Sequence, residues 1–396
     1  MNLAFSQFAL VLLAGPNERA RNAFARRHFR ASEILSPRHC QRRTDDLQAA
    51  VALLERIVSR RLQQRRLVVV NAPNLTQAER GVWLRLARRA YAEPVVIVAG
   101  ANQRDGLPDE RDLRKEGFHT AVRLSAQAAR TSGLQRLPLP NDRRDLHGPF
   151  DIVGDVHGCF DELVELLAKL GYRVDETPTG FDVTPPPGRT LAFVGDLVDR
   201  GPRVPDVLRL AMSMSASGTA LVVPGNHDDK LMRALMGRKV QVTHGLEVSL
   251  EQLAQEPPAF REAVRAYVQS LVSHYLLDDG RLVIAHAGIR ESMIGRWPQA
   301  ARDFTLYGET SSQMDEFGLP VRLNWMAKYH GQALIVYGHT PVAEPVQINH
   351  TLNLDTGSVF GGALTALRYP EMTLVSVPAH AVYSQTNRPF MRVEDF

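Results

Sequence analysis

Five short segments of the chain each combine an apolar run with polar side chains of the kinds that bind metals or move protons. The segments read FDIVGDVHG, LAFVGDLVDRG, ALVVPGNHDD, RLVIAHAG and ALIVYGHTP, and all begin at or after residue 150. Because ligands of open α/β sheets bind beyond the carboxyl ends of the strands, we expect these loops to converge on one site. Their polar residues are Asp155, His157, Asp196, Asp199, Arg200, Asn226, His227, Asp228, His286 and His339.

The mixture of carboxylate, amide and imidazole side chains indicates a binuclear metal site. Two neighbouring divalent ions need a carboxylate that both can share, with oxygen and nitrogen donors on each side. Oxygen-rich sites that include imidazole suit Mn²⁺, and Fe, Ni²⁺ and Zn²⁺ are the alternatives. The five segments contain no cysteine, which disfavours a structural zinc site. We therefore predict two divalent metal ions, with Mn²⁺ as the first choice.

The elements that must position this site follow from the hydrophobic pattern. From residue 150 onward, apolar strands each end in a polar cluster, whereas residues 246–278 have helical spacing and few glycines, which predicts a helical insertion. Residues 1–130 alternate short β-branched runs, at 8–14, 67–70 and 95–99, with amphipathic helical stretches. This alternation predicts a small α/β domain with a parallel sheet.

Residues 131–149 separate the two patterns. This stretch is rich in proline and charged residues and has no clear period, so we interpret it as a linker. The predicted organisation is an N-terminal α/β domain over 1–130, a linker over 131–149 and a C-terminal domain over 150–396.

Charge is distributed unevenly between these parts. The net charge of the 396-residue chain is +4, but residues 1–149 carry +12 and the remainder −8. The basic half is either a solvated helix surface or a surface that faces a polyanion, and composition alone leaves both open. The two cysteines make no disulfide framework, and no apolar run reaches about 18 residues. We expect a cytoplasmic protein without a membrane partner, and the sequence leaves its oligomeric state open.

The motifs GDVHG, GDLVDRG and GNHD, followed by distant lone histidines, resemble those of the calcineurin-like metallophosphoesterases. Longer stretches such as DIVGDVHGCFDELVELLAKLGY, LVSHYLLDDGRLVIAHAG, DEFGLPVRLNW and DTGSVFGGALTALRYP resemble the phosphatase domain of bacterial polynucleotide kinase–phosphatase. The similarity covers about residues 150–380. It implies an α/β sandwich for the C-terminal domain, behind a P-loop-kinase-like parallel sheet domain.

The resemblance also implies a role for each matching residue. Arg200 would clamp the phosphate, and His227, oriented by Asp199, would protonate the leaving alkoxide. Asp355, in DTGS, matches a further active-site carboxylate of the family. The implied ligands are Asp155, His157 and Asp196 for the first metal, and Asp196, Asn226, His286 and His339 for the second, with Asp196 bridging.

In the same family an ATP-binding kinase domain precedes the phosphatase, with a loop resembling GPSGSGKST followed by FARRHF. Residues 15–29 read GPNERARNAFARRHF and align without a gap. Glu18 and Ala20 replace the inner glycines, Arg21 replaces the lysine, and Asn22 replaces the metal-binding serine. Glycines let backbone amides surround a phosphate, and the serine hydroxyl binds Mg²⁺, so both functions are lost here.

Two further motifs of that kinase domain are altered. The family's catalytic S-D motif corresponds here to ILSPR, in which Pro37 and Arg38 follow the serine. Its V-D-A-T-N motif corresponds to VNAPN, in which Asn71 replaces the acidic residue. We therefore predict a retained fold without phosphoryl transfer. The sequence leaves open whether separate RNA-repair proteins supply kinase and ligase functions.

Together these features predict a metal-dependent phosphohydrolase in which activated water removes phosphate from RNA 2′ or 3′ ends, including 2′,3′-cyclic phosphates. A phosphorylated RNA or nucleotide is then the expected substrate. Two alternatives within the superfamily are a Ser/Thr protein phosphatase and a diadenosine-tetraphosphate hydrolase. An alternative of another class is a non-catalytic RNA-binding or regulatory module. GNHD in place of GNHE disfavours the protein phosphatase, and the intact ligand set disfavours the non-catalytic module.

Overall fold

The chain forms two units, and each has β-sheets of its own. Unit 1 consists of Met1–Leu139 and Arg296–Ala300, and unit 2 of Pro140–Gly295 and Ala301–Phe396. The computed structural model describes residues 2–41, 46–102, 106–178, 180–314, 320–386 and 388–395. The DEFGL part of the motif DEFGLPVRLNW, residues 315–319, lies outside these ranges.

Unit 1 is built on a parallel sheet of five strands in the order β3-β4-β2-β5-β6. Its central strands β2 and β4 are apolar except for Asn71 at the end of β4, as expected where helices cover both faces of a sheet. The strands of unit 1 are β1 (Asn2–Ser6), β2 (Ala9–Ala14), β3 (Ile34–Leu35), β4 (Val68–Asn71), β5 (Glu93–Ala99), β6 (Thr120–Leu124) and β7 (Gly133–Leu137). Its helices are α1 (Glu18–His28), α2 (Pro37–Gln41), α3 (Leu47–Gln63), α4 (Gln77–Arg89), α5 (Glu110–Glu116) and α6 (Ala126–Thr131). The α/β alternation predicted from the sequence is present.

The two long helices of unit 1 begin at capping side chains. The Asp46 carboxylate accepts hydrogen bonds from the first free amides of α3, and Thr76 and Glu79 form a capping box at the start of α4. On the apolar face of α3, Leu54 and Val58 are fully buried in the core, whereas Val51 is half-buried. Capping and amphipathicity together fix both helices.

A short segment from the C-terminal half of the sequence completes the unit 1 core. The Trp297 side chain joins the core, and its backbone amide donates to the Tyr91 carbonyl (2.8 Å). The neighbouring Arg296 guanidinium donates to the Leu62 carbonyl (3.2 Å), which lies at the end of α3. No periodicity in the sequence marks this return of the chain.

The stretch interpreted as a linker contains two strands. β7 pairs in parallel with β1 in unit 1, and β8 (Asp142–Arg143) pairs in parallel with β14 (His274–Leu277) in unit 2. Both strands are short, and the nearby prolines and charged residues hid them from pattern analysis.

Unit 2 contains two larger sheets, in the orders β13-β12-β9-β21-β22 and β19-β20-β18-β15-β14-β8. The remaining strands of unit 2 are β9 (Phe150–Val153), β10 (Arg173–Thr177), β11 (Gly180–Thr184), β12 (Thr190–Phe193), β13 (Ala220–Val222), β15 (Leu282–Ala285), β16 (Thr310–Met314), β17 (Pro320–Arg322), β18 (Leu334–Tyr337), β19 (Val346–Ile348), β20 (Thr351–Asn353), β21 (Ala363–Tyr369) and β22 (Thr373–Pro378). Its helices are α7 (Phe160–Leu170), α8 (Val204–Ala216), α9 (Asn226–Leu235), α10 (Leu246–Ala254) and α11 (Pro258–Ser270), and α12 (Pro298–Tyr307) starts in the unit 1 segment and ends in unit 2.

The two sheets share one apolar layer. Ile152 and Ala192 of the first sheet belong to the same buried cluster as Ile284 and Val336 of the second. The outer face of the first sheet packs against α7 and α8 in a separate cluster. Unit 2 is therefore the predicted α/β sandwich.

Parallel pairing brings the loops of unit 2 to common edges. In the first sheet β9, β12 and β13 run parallel, and in the second sheet β15, β18 and β20 do so. Five of these strands end just before the five predicted site loops, and β20 ends just before Asp355. The sheets therefore carry the loops at their carboxyl ends, as the sequence predicts.

The prediction of a helical insertion over residues 246–278 is wrong at its end. The segment contains α10 and α11, but residues 274–277 form β14, which pairs antiparallel with β15. The segment HYLL is apolar enough to form either a helix or a strand, and its pairing with β15 makes it a strand. Within the described ranges, no helix is both long and apolar enough to cross a membrane.

Candidate metal centre

The first two site loops leave their strands through strained backbone. Asp155 and His157 follow β9, and Asp196 follows β12; His157 and Asp196 have φ of 45° and 48°. The backbone amide of His157 donates to the Asp196 carbonyl (2.8 Å), which joins the two loops. Non-glycine residues in this left-handed region are uncommon and cluster at functional sites. The strain turns both side chains toward the same point.

Asp196 lies between two clusters of potential metal ligands. His157, Asp196 and His227 form one cluster, and Asp196, His286 and His339 form the other, with the ligand atoms of each cluster within 4.8 Å of one another. The Asp196 Oδ2 lies 3.6 Å from His157 Nε2 and 3.4 Å from His286 Nε2. A carboxylate in this place can bridge two ions.

Asp155 and Asn226, the other two predicted ligands, lie at the same point. The Asp155 Oδ2 accepts a hydrogen bond from the His339 amide (3.0 Å), while its Oδ1 is buried with no partner among the described residues. The Asn226 Oδ1 lies 3.0 Å from His286 Nε2. The structure thus brings together all six predicted ligand side chains.

Two of the histidines are held in the tautomer that a metal ligand needs. The Nδ1–H of His157 donates to the Val198 carbonyl (2.7 Å), and that of His286 donates to the Val194 carbonyl (3.1 Å). Each Nε2 therefore presents its lone pair to the site. Such outer hydrogen bonds are the usual way in which proteins orient metal-binding imidazoles.

Two glycines make room for the carboxylates. A Cβ at Gly225 would overlap the Asp196 carboxylate, and a Cβ at Gly338 would overlap that of Asp155. Neither glycine has a positive φ, so the reason for glycine here is close approach rather than backbone freedom.

The shifted pKa values of the clustered carboxyl and imidazole groups indicate that the cluster favours bound cations. Burial, together with the charges of Asp355 and Asp196, raises the pKa of Asp155 well above its ordinary value. Burial and the charge of Asp228 do the same for Asp196, and burial lowers the pKa of His286 to about 3. The buried orphan oxygen of Asp155, the oriented imidazoles and these crowded carboxylates fit divalent metal ions.

His227 and Asp199 form a buried pair beside the metal ligands. The His227 Nδ1 lies 2.6 Å from Asp199 Oδ2, and the Ser249 hydroxyl donates to Asp199 Oδ1 (2.6 Å). Burial raises the pKa of Asp199 to about 6. Burial and the nearby Arg200 charge lower the pKa of His227 well below its ordinary value. The carboxylate and hydroxyl fix the ring so that Nε2 faces the site.

Arg200 reaches into the same space. Its φ is 72°, and its guanidinium stacks 5.0 Å from the Phe360 ring centroid. Its Nη atoms donate to the Nε2 atoms of His157 (2.6 Å) and His227 (2.9 Å). If that His157 nitrogen held a metal ion, the Arg200 side chain would have to release it, and its donors would then be available to a substrate oxygen.

Asp355 also lies at the site. It follows β20, is 4% exposed and lines the same cavity, of about 540 Å³, as Asp196 and His339. Its Oδ1 accepts a hydrogen bond from the Gly357 amide (3.1 Å), and burial raises its pKa to about 6.

Two further residues, Asp228 and Arg322, lie at the metal centre although no sequence motif assigns them a role. The Asp228 carboxylate accepts hydrogen bonds from the amides of Leu197 (3.0 Å) and Gly225 (2.8 Å), so it links two site loops. Arg322 lines the cavity and donates to the His339 carbonyl (3.3 Å). Asp228 is the last residue of GNHD and Arg322 lies in DEFGLPVRLNW, but neither has a spacing that reveals its contacts.

The family comparison agrees with this geometry. A family model described as calcineurin-like phosphoesterase matches residues 148–376. This chain belongs to the calcineurin-like phosphoesterases. It is a phosphoester hydrolase, and phosphoesterases of this family use divalent metals, for which the His and Asp clusters are suited.

Among curated proteins, the chain is similar to several named bis(5′-nucleosyl)-tetraphosphatase PrpE [asymmetrical]. The relative from Anoxybacillus flavithermus is 49% identical over 61% of this chain and 99% of its own length. That from Halalkalibacterium halodurans is 50% identical over 58% of this chain and 94% of its own. That from Bacillus subtilis is 43% identical over 60% of this chain and 97% of its own.

The predicted P-loop residues of unit 1 contact one another. The Arg21 guanidinium donates to the Gly15 carbonyl and to Asn71 Oδ1 (3.2 Å), and the Asn71 amide donates to Asn22 Oδ1 (2.7 Å). Glu18 forms an ion pair with Arg38 (2.7 Å). These residues line a cleft of about 660 Å³ beyond the carboxyl ends of β2 and β4.

Proposed function

We propose that this chain hydrolyses phosphoanhydride bonds of nucleoside polyphosphates, with dinucleoside tetraphosphates as its substrate class. The observation that carries the substrate class is the 43–50% identity to proteins named as such tetraphosphatases, over 94–99% of their length. This substrate class is one of the alternatives that the sequence leaves open. It has more support than RNA 2′ and 3′ ends, for which the only support is the motif resemblance.

We assign the ligand roles as the motifs imply. The shared position of Asp196 supports a bridging role, and the orphaned Oδ1 supports Asp155 as a ligand. When bound, the two divalent ions supply Lewis-acid chemistry, since they neutralise phosphoryl charge and lower the pKa of water. The proposed ligands are Asp155, His157 and Asp196 at one ion, and Asp196, Asn226, His286 and His339 at the other.

The remaining side chains bind the phosphate and handle protons. Arg200 offers a planar fork that matches two phosphoryl oxygens. His227 protonates the leaving oxygen through Nε2, while Asp199 holds its Nδ1–H and stabilises the imidazolium. A phosphate-chain leaving group is a weak base and needs this proton less than an alkoxide does.

The reaction balances as a hydrolysis. The oxygen of water forms a bond to phosphorus, and the bridging P–O bond breaks with its electron pair on the leaving phosphate. One proton of water passes to solvent, and the leaving oxygen either stays ionised or takes from His227 Nε2 a proton that this nitrogen has first taken up from solvent. Asymmetrical cleavage of a four-phosphate chain gives a nucleoside triphosphate and a nucleoside monophosphate.

For unit 1 we propose a P-loop-like domain that no longer transfers phosphate. The parallel sheet with a loop after the central strand β2 supports the fold, and the contacts of Arg21 and Asn71 support the loss. Titration with a fluorescent ATP analogue is expected to show no saturable binding at micromolar concentrations. Saturable binding that depends on Mg²⁺ would contradict this proposal.

The substrate proposal is tested by comparing substrates on the Mn²⁺-loaded protein. The panel contains diadenosine tetraphosphate, an RNA 3′-phosphate, a 2′,3′-cyclic phosphate, a phosphopeptide and p-nitrophenyl phosphate. We expect the highest kcat/KM for diadenosine tetraphosphate, with ATP and AMP as products. A higher kcat/KM for either RNA end would restore the RNA-end reading, and turnover of none would favour a non-catalytic module.

A further inference from the structure

The cavity at the metal centre extends well beyond the proposed ligands. The residues that line the cavity include Arg322 together with Tyr383, Ser384, Gln385, Thr386, Arg388 and Pro389. The latter belong to the C-terminal segment, defined as residues 379–386 and 388–395. A volume of about 540 Å³ exceeds what one phosphoryl group needs and lies in the range of pockets for whole small-molecule ligands.

The C-terminal segment is fixed to unit 2 near both of its ends. Near its start, the His380 amide and the Tyr383 hydroxyl both donate to the buried Glu162 carboxylate (2.8 and 2.9 Å). Near its end, the Met391 amide donates to the Pro341 carbonyl (3.0 Å). The Phe390 ring packs so closely on Gly357 that a Cβ there would lie 2.5 Å from it. The segment is therefore a fixed wall of the site.

Arg322 is held on the His339 side of the metal centre. Its Nη1 donates to the His339 carbonyl (3.3 Å) and to the Thr340 hydroxyl. These contacts occupy one edge of the guanidinium, and within the described ranges its other nitrogens donate no hydrogen bond. One edge thus fixes the side chain while the other is left for a ligand in the cavity.

Arg388 brings a second positive charge to the same side. Burial first, and then the Arg388 charge, lower the pKa of Arg322 to about 10, while Asp355, Asp155 and Asp196 act in the opposite sense. Arg322 is therefore close enough to interact with both Arg388 and the metal-binding carboxylates. Two guanidinium groups beside one cavity form an attractive environment for a multiply charged anion.

We propose that Arg322 and Arg388 form a second phosphate subsite, which binds the phosphate next to the one being hydrolysed in a phosphoanhydride chain. This inference rests on the proposed function and names the residues that select its substrate class. Arg200 lies on the His157 side of the centre and Arg322 on the His339 side. A polyphosphate chain reaches both, whereas a simple monoester fills only the metal position.

The subsite is tested by kinetics on the full-length, Mn²⁺-loaded protein and its Arg388→Gln variant. The measured quantity is the ratio of kcat/KM for diadenosine tetraphosphate to kcat/KM for p-nitrophenyl phosphate. We expect this ratio to fall about 10-fold, mainly through KM, because a charge-assisted hydrogen bond to phosphate is lost. The matched control is Arg392→Gln, in the same segment but outside the cavity, with a side chain 71% exposed; it is expected to keep the wild-type ratio.

Arg322→Gln is the second variant, and we expect the same fall in the ratio. Because Arg322 also contacts the His339 carbonyl, bound Mn²⁺ is measured alongside, and an unchanged metal content attributes the fall to substrate binding. A wild-type ratio in Arg388→Gln and Arg322→Gln would overturn the subsite.

Inhibition of p-nitrophenyl phosphate hydrolysis separates failure of the subsite from failure of the proposed function. At fixed free Mn²⁺, we expect inorganic tripolyphosphate to inhibit the wild type at about 10-fold lower concentration than orthophosphate. Arg388→Gln should lose most of this preference. If diadenosine tetraphosphate is not hydrolysed but the preference holds and is lost in the variant, the proposed substrate is wrong and the subsite stands. If the wild type shows no preference, the subsite is wrong.

Discussion

His227 is the residue whose substitution best reports the leaving group. It is 6% exposed, and its Nδ1 is bound by Asp199, so Nε2 is the atom that can deliver a proton to the leaving oxygen. The need for that proton depends on the basicity of the leaving group, which is low for a phosphate chain or a nitrophenolate and high for a sugar alkoxide.

We predict that His227→Ala lowers kcat for a nucleoside 3′-monophosphate by about 100-fold or more, and kcat for diadenosine tetraphosphate by less than about 10-fold. Steady-state kinetics with the two substrates measure the difference. His330→Ala, at an exposed histidine outside the cavity, serves as control. Equal losses on both substrates would contradict a proton-donor role.

At the residue scale, the sequence predicted which side chains meet at the candidate site but not their surroundings. Asp155, Asp196 and His286 could be proposed as ligands because each comes just after an apolar strand. Arg322 and the cavity-lining residues of the C-terminal segment follow no such rule. They reach the site through tertiary packing, which leaves no local pattern in the chain.

At the scale of elements, Gly338 shows how tightly the loop after β18 fits against the loop after β9. We predict that Gly338→Ala weakens Mn²⁺ binding by about 10-fold or more, because the added methyl group displaces the Asp155 carboxylate. Metal titration measures the affinity, and circular dichroism verifies the fold.

Gly81→Ala is the matched control, since it adds the same methyl group within helix α4, where the nearest atom is a flexible arginine nitrogen 3.6 Å away. It is expected to stabilise the protein by about 0.5–1 kcal/mol and to leave Mn²⁺ affinity unchanged. Wild-type Mn²⁺ affinity in Gly338→Ala would show that the loop contact does not position Asp155.

Elements with a strong period were predictable, and elements defined by a partner were not. The sequence pattern is unambiguous for the apolar runs of β2, β4 and β5 and for the amphipathic faces of α3 and α4. By contrast, β14 became a strand because β15 lies beside it, and β7 formed because β1 supplies its hydrogen bonds. The sequence of a short segment does not encode such a neighbour.

At the scale of the whole molecule, the metal centre couples stability to pH. The folded-state pKa of Asp355 is raised to about 6 and that of Asp228 to about 7, so without metal these groups cost stability as pH rises above their unfolded values. His286 is shifted the other way, to about 3, so it costs stability as pH falls below its unfolded value.

Metal binding needs ionised carboxylates and neutral imidazoles, and therefore competes with protons on both kinds of group. We predict that the increase in Tm on adding Mn²⁺ grows from pH 5 to pH 7.5, which is measured by thermal unfolding with and without the ion. An increase in Tm that is constant over this range, or that grows toward acid pH, would show that the buried cluster is not the metal-binding site.

The number of Mn²⁺ ions bound per chain, in the wild type and in Asp196→Asn, tests the central claim most directly. Asp196 belongs to both ligand clusters, and its Oδ2 lies between His157 and His286. We predict two ions per wild-type chain, with the electron paramagnetic resonance spectrum of an exchange-coupled pair. Asp196→Asn is expected to bind at most one ion and to lose the coupled signal. A wild type that binds a single ion, or a variant that retains the coupled pair, would contradict a binuclear centre bridged by Asp196.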